Sequence, residues 1–514
     1  MSDEKSDGSN AAIHDAKEPT GSRSTSLKEP TGPSNQASSN DSIRQSLDNP
    51  LHSPKTEPNP QLTTPLPDQP PNGGYGWVCV ICVAFINAHT WGLNSSYGVF
   101  LAYYLANNTF PGATYLEYAF VGGLSIACAL LVSPVATITT RKYNTRTTLL
   151  IGVAFETASL IGASFAWQIW HLFLSQGICF GFGMGFLFVG SVSVPPQWFT
   201  TRRSLANGIA TAGSGLGGLT YSLAAGAMIR TIGLAWAFRV LGIIALVVNG
   251  VCAILIRDRN KQIGSSQLAF DVSLFRKPEY LLLLGFGWFS VLAYIVLLFS
   301  IANYASSVGL TASQGATVSA LLNLGQALGR PPIGYFSDAV GRINMACGAT
   351  FIAGLFALVI WIFARSFGVL VFYALIGGTV AGTFWTTIAP VSVEVVGLKE
   401  VSSALNILWI VLVLPCTFSE PIALEIVGRE GGAYLGAQVF TGVMYLVAAG
   451  CALLLRGWKI KELEEIAEKV ARDKGAQAVG VKGSVMDDRV VEEAKRKGRS
   501  PKGMFVGLWK WKKV

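Results

Sequence analysis

About twelve apolar stretches, each near twenty residues long, follow one another along this chain. That spacing leaves little choice of fold. A helix rises 1.5 Å per residue, so about 20 residues cross the roughly 30 Å hydrocarbon core of a bilayer. In hydrocarbon, backbone N–H and C=O groups must be satisfied internally, and runs of this length do so as helices. The stretches fall near 76–100, 116–139, 147–166, 169–194, 205–227, 236–256, 280–304, 314–336, 344–363, 367–389, 401–425 and 434–456. Only 13% of residues are charged, against about a quarter in soluble domains. The expectation is an all-α membrane protein of twelve transmembrane helices. Its formal charge of +9 then bears on topology and lipid contact, not on nucleic acid.

The segments between and beyond the spans fix the expected organisation. Residues 1–72 are rich in Ser, Pro, Asn, Lys and Glu. They cannot bury enough apolar surface to offset chain entropy, and read as a disordered cytosolic tail. No secretory signal peptide opens the chain, so the first span would serve as the insertion signal. Spans one to six occupy 73–256, a short linker 257–279, and spans seven to twelve 280–456. Residues 457–514 form a basic cytosolic tail, in which Ile460, Leu463, Ile466 and Val470 recur at helical spacing. Its last stretch, 504–514, mixes aromatics with lysines and suits either an anionic leaflet or a disordered end. With the N-terminus inside, fourteen Lys and Arg gather on its side. Only Arg230, Arg239, Arg365 and Arg429 lie on the other, which sets both termini in the cytosol. Asn107 heads an Asn-Asn-Thr sequon in the first outer loop.

Chemistry is sparse. All eight cysteines lie in apolar spans, and the C-x-x-C spacing of Cys79 and Cys82 has no second pair or His cluster beside it. Two lipid- or core-facing thiols are expected rather than a metal site. No nucleophile–base pair or phosphate loop stands out, so neither an enzyme nor a cofactor is expected.

The most informative run is Leu321 to Arg342, LLNLGQALGRPPIGYFSDAVGR. Its apolar helix carries one arginine, Arg330, and bare guanidinium in hydrocarbon is costly. Ser319, Asn323, Gln326 and Arg330 are spaced four, three and four apart, one polar stripe on a helix. Such a stripe faces a bundle interior or cavity; the alternative is that Arg330 reaches the nearby interface. Two prolines follow, and then a tight loop holding Asp338, Gly341 and Arg342.

This run resembles the G-x-x-x-D-x-x-G-R signature of the major facilitator superfamily, carried between its eighth and ninth helices. The resemblance implies a twelve-helix bundle of two six-helix halves. It makes Asp338 and Arg342 gate residues in alternating access, with Gly341 supplying the turn. A degraded copy, Thr137 to Arg146, lies about 200 residues earlier, an internal repeat that argues for two halves. There Arg141 stands at the acid position and Asn144 at the glycine, a residue that tolerates left-handed geometry.

Asn72-Gly-Gly-Tyr-Gly-Trp77 and Arg202-Arg203-Ser-Leu-Ala-Asn207-Gly208, continuing to Ala212-Gly213-Ser214, are similar to signatures of the monocarboxylate porter family. Asn72 departs from the usual acid. The proline, acid and glycine of Pro390, Glu394 and Gly397 resemble that family's exit from helix ten. The likeness covers roughly residues 72–456 and is to the family's fungal branch. In that family a helix-eight arginine holds the substrate carboxylate, an Asp one turn earlier handles the proton, and a helix-one lysine helps. Arg330 matches the arginine, with its following proline. Gln326 stands at the Asp position and Ser95 at the lysine position, so anion recognition is implied while the usual proton relay is not.

The expected site is a polar cavity between the halves near the midplane. Span one offers Asn87, Trp91, Asn94 and Ser95, with Tyr97 nearby. Span eight offers Asn323, Gln326 and Arg330. Phe384 and Trp385 of span ten either wall the cavity or pack. Glu420, acidic and beside a helix break at Pro421, is the expected partner of Arg330. His89 is either a proton carrier or an ordinary hydrogen-bonded histidine. Together these imply a secondary transporter, acting as a monomer, of a monocarboxylate-like anion in the plasma or vacuolar membrane, with protons as a candidate second partner. A neutral or amphipathic metabolite, and a non-transporting membrane sensor, are the alternatives.

Overall fold

The computed structural model describes residues 70–265, 268–478 and 512–514. Most of the expected N-terminal tail lies outside these. The described chain folds into long helical segments: α1 (Tyr75–Tyr104), α2 (Phe120–Lys142), α3 (Thr145–Ala163), α4 (Ile169–Trp198), α5 (Arg203–Ile232), α6 (Leu234–Leu255), α7 (Pro278–Ser307), α8 (Ala312–Val340), α9 (Arg342–Phe363), α10 (Phe367–Val396), α11 (Val401–Arg429) and α12 (Leu435–Lys469). Nine of these are long and apolar enough to cross a membrane, among the described residues. The remaining three, α3, α5 and α8, are 19, 30 and 29 residues long; their Thr, Ser and Gly residues, with amides in α5 and α8, dilute the apolar character. The exterior exposes large apolar side chains such as Phe85, Leu223, Ile243 and Phe351, as a lipid-facing surface requires.

Several helices outrun their expected ends. The last continues without interruption from Leu435 to Ala478, through the expected tail boundary at 457, and Ile460 of the apolar stripe is buried. In α8 the helix passes through Pro331 and Pro332 to Val340. Asp338 therefore sits on a helix and not in the expected loop. Proline removes an N–H from the ladder, but packing on both flanks holds the helix in line. The turn is confined to Gly341, whose φ of +121° L side chains rarely adopt. Likewise α11 contains Pro415 and Pro421 without ending, so no break lies beside Glu420. Asn144 is extended, with φ −177°, and caps α3 by accepting from the Thr147 N–H at 2.7 Å; it is not left-handed. Cys79 and Cys82 are core-facing and buried, and no group of three metal-ligating side chains occurs among the described residues.

Helices α1–α6 meet α7–α12 along two seams, α5 against α8 and α2 against α11, and the first is the most extensive helix contact in the structure. Glycine makes it possible, because small residues let helix backbones approach. A Cβ on Gly208 would lie 2.5 Å from the Arg330 carbonyl oxygen, and one on Gly215 would lie 2.8 Å from that of Asn323. These obstacles are backbone and cannot rotate away. We expect Gly208→Ala to lower the melting temperature in detergent by several degrees, an overpacking cost of about 1–3 kcal/mol. Gly250→Ala, where nothing lies within 4 Å, should leave it unchanged or raise it slightly.

Candidate functional site

A cavity of about 70 Å³ lies on the polar stripe of α8. Asn323, Gln326 and Arg330 line it, as do Asn87, Trp91, Asn94 and Ser95 of α1 and Trp385 of α10. Part of α1 is wound as a π-helix, Ala88–Gly92, and such wide turns re-aim side chains and recur at functional sites. Asn207 and Ser214 of α5, Tyr294 of α7 and Trp409 of α11 complete the polar and aromatic wall.

Arg330 is 3% exposed, so it does not reach the interface. Nη1 donates to the Thr211 carbonyl at 2.5 Å and to the Ser214 hydroxyl, and Nη2 donates to Gln326 Oε1 at 2.7 Å. Tyr294 donates to the same Gln326 oxygen at 2.8 Å. Glu420 is not the arginine's partner. It accepts from the Ser300 hydroxyl at 2.9 and 3.1 Å, away from the cavity wall. No ion pair of Arg330 is formed among the described residues. A central guanidinium costs about 2.5–3.5 kcal/mol on insertion scales. Three hydrogen bonds from the charged group to neutral acceptors, at about 1.5–3 kcal/mol each, offset that without neutralising the charge.

The other predicted residues divide. Asn94 donates to Ser125 Oγ at 2.9 Å, and Ser95 Oγ donates to the Gly92 carbonyl at 2.7 Å. Trp91 and Trp385 pack together with centroids 5.4 Å apart, and Trp385 stacks on Trp409 at 6.0 Å. Phe384 packs in the core on Phe286, outside the wall. Tyr97 bonds the Tyr118 carbonyl at 2.8 Å. His89 pairs through Nδ1 with the Phe85 carbonyl of its own helix at 2.8 Å and lies edge-on to Tyr221, also outside the wall. Asn107 is exposed, its amide donating to the Tyr103 carbonyl at 2.9 Å.

Asp338 and Arg342 join the two sets of helices. Asp338 accepts from the N–H groups of Ser204 at 3.0 Å and Leu205 at 2.9 Å, the first turn of α5. A carboxylate there meets free donors and the positive end of the helix dipole. Arg342 bonds Glu394, the Thr200 carbonyl at 2.5 Å, and Asp338 at 3.4 Å. Gly341 lets the chain fold so that acid and base face the same loop. That loop is in turn held by Asn72, whose Oδ1 accepts from the Thr200 N–H at 2.6 Å and the Thr201 N–H at 3.0 Å. The short 512–514 segment docks beside the turn, with the Ile343 N–H donating to the Val514 carbonyl at 3.0 Å.

Sequence reasoning passed over Asn207, Tyr294 and Trp409 as wall residues. Asn207 had a signal, its place in the Arg202–Gly208 run. It donates to the Thr386 carbonyl at 2.5 Å across the seam. An aromatic residue inside an apolar span carries no such signal. Asp338→Ala removes both acceptors of the α5 N–H groups, at about 1.5–3 kcal/mol per charged hydrogen bond. We expect distances between spin labels on the α5 and α8 ends near Asp338 to shift to longer values; an unchanged distribution contradicts the latch.

The sequence profile of the Major Facilitator Superfamily matches residues 79–304. A Saccharomyces cerevisiae protein described as "Probable transporter MCH2" is 33% identical over 408 residues, covering 78% of this chain and 86% of that one. The "Fujikurins efflux protein" of Gibberella fujikuroi is 28% identical over 400 residues, covering 75% and 83%. Among solved structures, the Escherichia coli fucose:proton symporter FucP superposes with a TM-score of 0.57 at 13% identity, covering 74% of this chain and 98% of that one. That last likeness concerns fold alone.

Proposed function

The chain belongs to the Major Facilitator Superfamily, a membrane transporter class that is not enzymatic, and on that premise we propose that it carries a small organic anion by alternating access. One observation carries the anionic reading. The buried N–H groups of Arg330 Nε, Trp91 Nε1 and Trp409 Nε1 have no acceptor among the described residues, and all three side chains line the cavity. A wall with spare donors and a buried positive charge suits a ligand rich in acceptors. The guanidinium fork takes one carboxylate, the indoles take further oxygens, and the tryptophan faces cover an apolar body. The monocarboxylate porter likeness points the same way.

In this reading 73–256 and 280–456 are the two moving halves, joined by 257–279, with both termini cytosolic. Asp338 and Arg342 then close the cytosolic side, and the plasma membrane is the proposed site. No Asp or Glu lines the cavity among the described residues, so the proposed step is anion movement, without an assigned proton carrier. A second reading, export of a larger or neutral metabolite, is favoured by the efflux relative and by the protein acceptors already engaging Arg330.

The test is uptake of labelled lactate into proteoliposomes, with and without an inward proton gradient. We expect uptake by the wild type and about a hundredfold loss in Arg330→Ala, the equivalent of two charge-assisted hydrogen bonds at about 1.5 kcal/mol each. No uptake by folded wild-type protein under either condition overturns the small-anion reading in favour of the metabolite exporter.

A further inference from the structure

Away from the cavity wall, the first six helices hold one carboxyl group that the transport reading does not use. Glu156 of α3 is 0% exposed, and so is Asn249 of α6. Asn249 Nδ2 donates to Glu156 Oε2 at 2.6 Å. Helix α4 closes a third side, since a Cβ on Gly183 would lie 2.5 Å from the Glu156 backbone nitrogen. No lysine, arginine or histidine forms an ion pair with this carboxyl among the described residues. A lone acid inside a membrane span is costly, and such residues are kept for what they bind.

Counting donors and acceptors shows what the pair lacks. An ionised carboxylate only accepts hydrogen bonds, and so does the oxygen of a carboxamide. Glu156 Oε1 and Asn249 Oδ1 are both left without a donor among the described residues. Buried polar atoms in folded proteins are seldom left so. Reversing the amide does not remove the shortage. The amide oxygen would then stand 2.6 Å from Glu156 Oε2, a separation at which two oxygens share a hydrogen. Either orientation of Asn249 is short of one hydrogen. A metal cation would also attract these oxygens, but hard cations take about six or more oxygen ligands. Two side chains cannot supply them.

We propose that Glu156 and Asn249 form a proton-binding site, in which Glu156 Oε1 carries the hydrogen and donates it to Asn249 Oδ1. With Nδ2 donating to Oε2, acid and amide close a ring of two hydrogen bonds. The ring supplies both orphaned oxygens, has no net charge, and pins α6 to α3 beside α4. Glu156 is fully buried and does not line the central cavity. The proton is therefore resident in the first six helices and is not handed to the solute. The site depends on neither the transport reading nor the anionic substrate.

Difference infrared spectroscopy reads the proton directly. Full-length wild type is compared in lipid vesicles at neutral pH with Glu156→Gln, whose amide keeps the shape of the neutral acid. We expect the difference spectrum to contain the C=O stretch of a protonated carboxylic acid and no bands of an ionised carboxylate. Carboxylate bands in place of the acid band overturn the proposal, whatever Glu156 contributes to packing. If Glu156→Gln does not fold, Asn249→Ser reads the same group from its partner. Loss of the ring should move the acid band to higher frequency, and a shift confined to carboxylate bands overturns the site. Melting in detergent is the second measurement. Glu156→Gln preserves both hydrogen bonds of the ring and should melt within about two degrees of wild type, whereas Glu156→Leu and Asn249→Leu should each melt several degrees lower. A fall in Glu156→Gln as large as in Glu156→Leu overturns the ring.

Discussion

A buried guanidinium sets the terms for the rest of this structure. Arg330 lies inside the α5–α8 seam, where its charge is tolerated only if acceptors come close. The Thr211 carbonyl and Ser214 hydroxyl supply them from α5, and α5 approaches because Gly208 and Gly215 present no side chain to α8. Charge, glycines and seam are thus one arrangement. Without the glycines the helices stand apart and the arginine loses its acceptors. Without the arginine, a polar stripe faces polar groups with nothing to organise them.

The same seam reaches the latch. Two turns beyond Arg330, Asp338 takes the first N–H groups of α5, and Arg342 ties α9 to Glu394 and to the Thr200 loop. Arg330 and Asp338 thus hold the same pair of helices, one at the cavity and the other at the first turn of α5. Asn72 adds a brace from the other end of the chain by holding Thr200 and Thr201.

The helical membrane fold was legible because twenty-residue apolar runs have no other stable form in lipid. The polar stripe of α8 was legible for a similar reason: spacing alone puts Asn323, Gln326 and Arg330 on one face. What sequence spacing could not reveal was partnership. Glu420 looked like the counter-charge to Arg330, yet it faces Ser300, because helix rotation decides which acid meets which base. The stretch holding Asp338 and Gly341 read as a loop, yet the helix runs on to Val340 and makes Asp338 a helical residue. Trp409 and Tyr294 read as ordinary apolar positions, and only their place beside the cavity distinguishes them.

The central claim is that a negative charge on the solute is what the cavity selects. Calorimetric titration of purified protein with lactate and with lactamide, its neutral counterpart of nearly the same shape, tests it most directly. The account predicts that lactate binds about a hundredfold more tightly, as expected for about two charge-assisted hydrogen bonds to Arg330, and that Arg330→Ala erases the difference. Equal affinity for the two compounds in the wild type would contradict it.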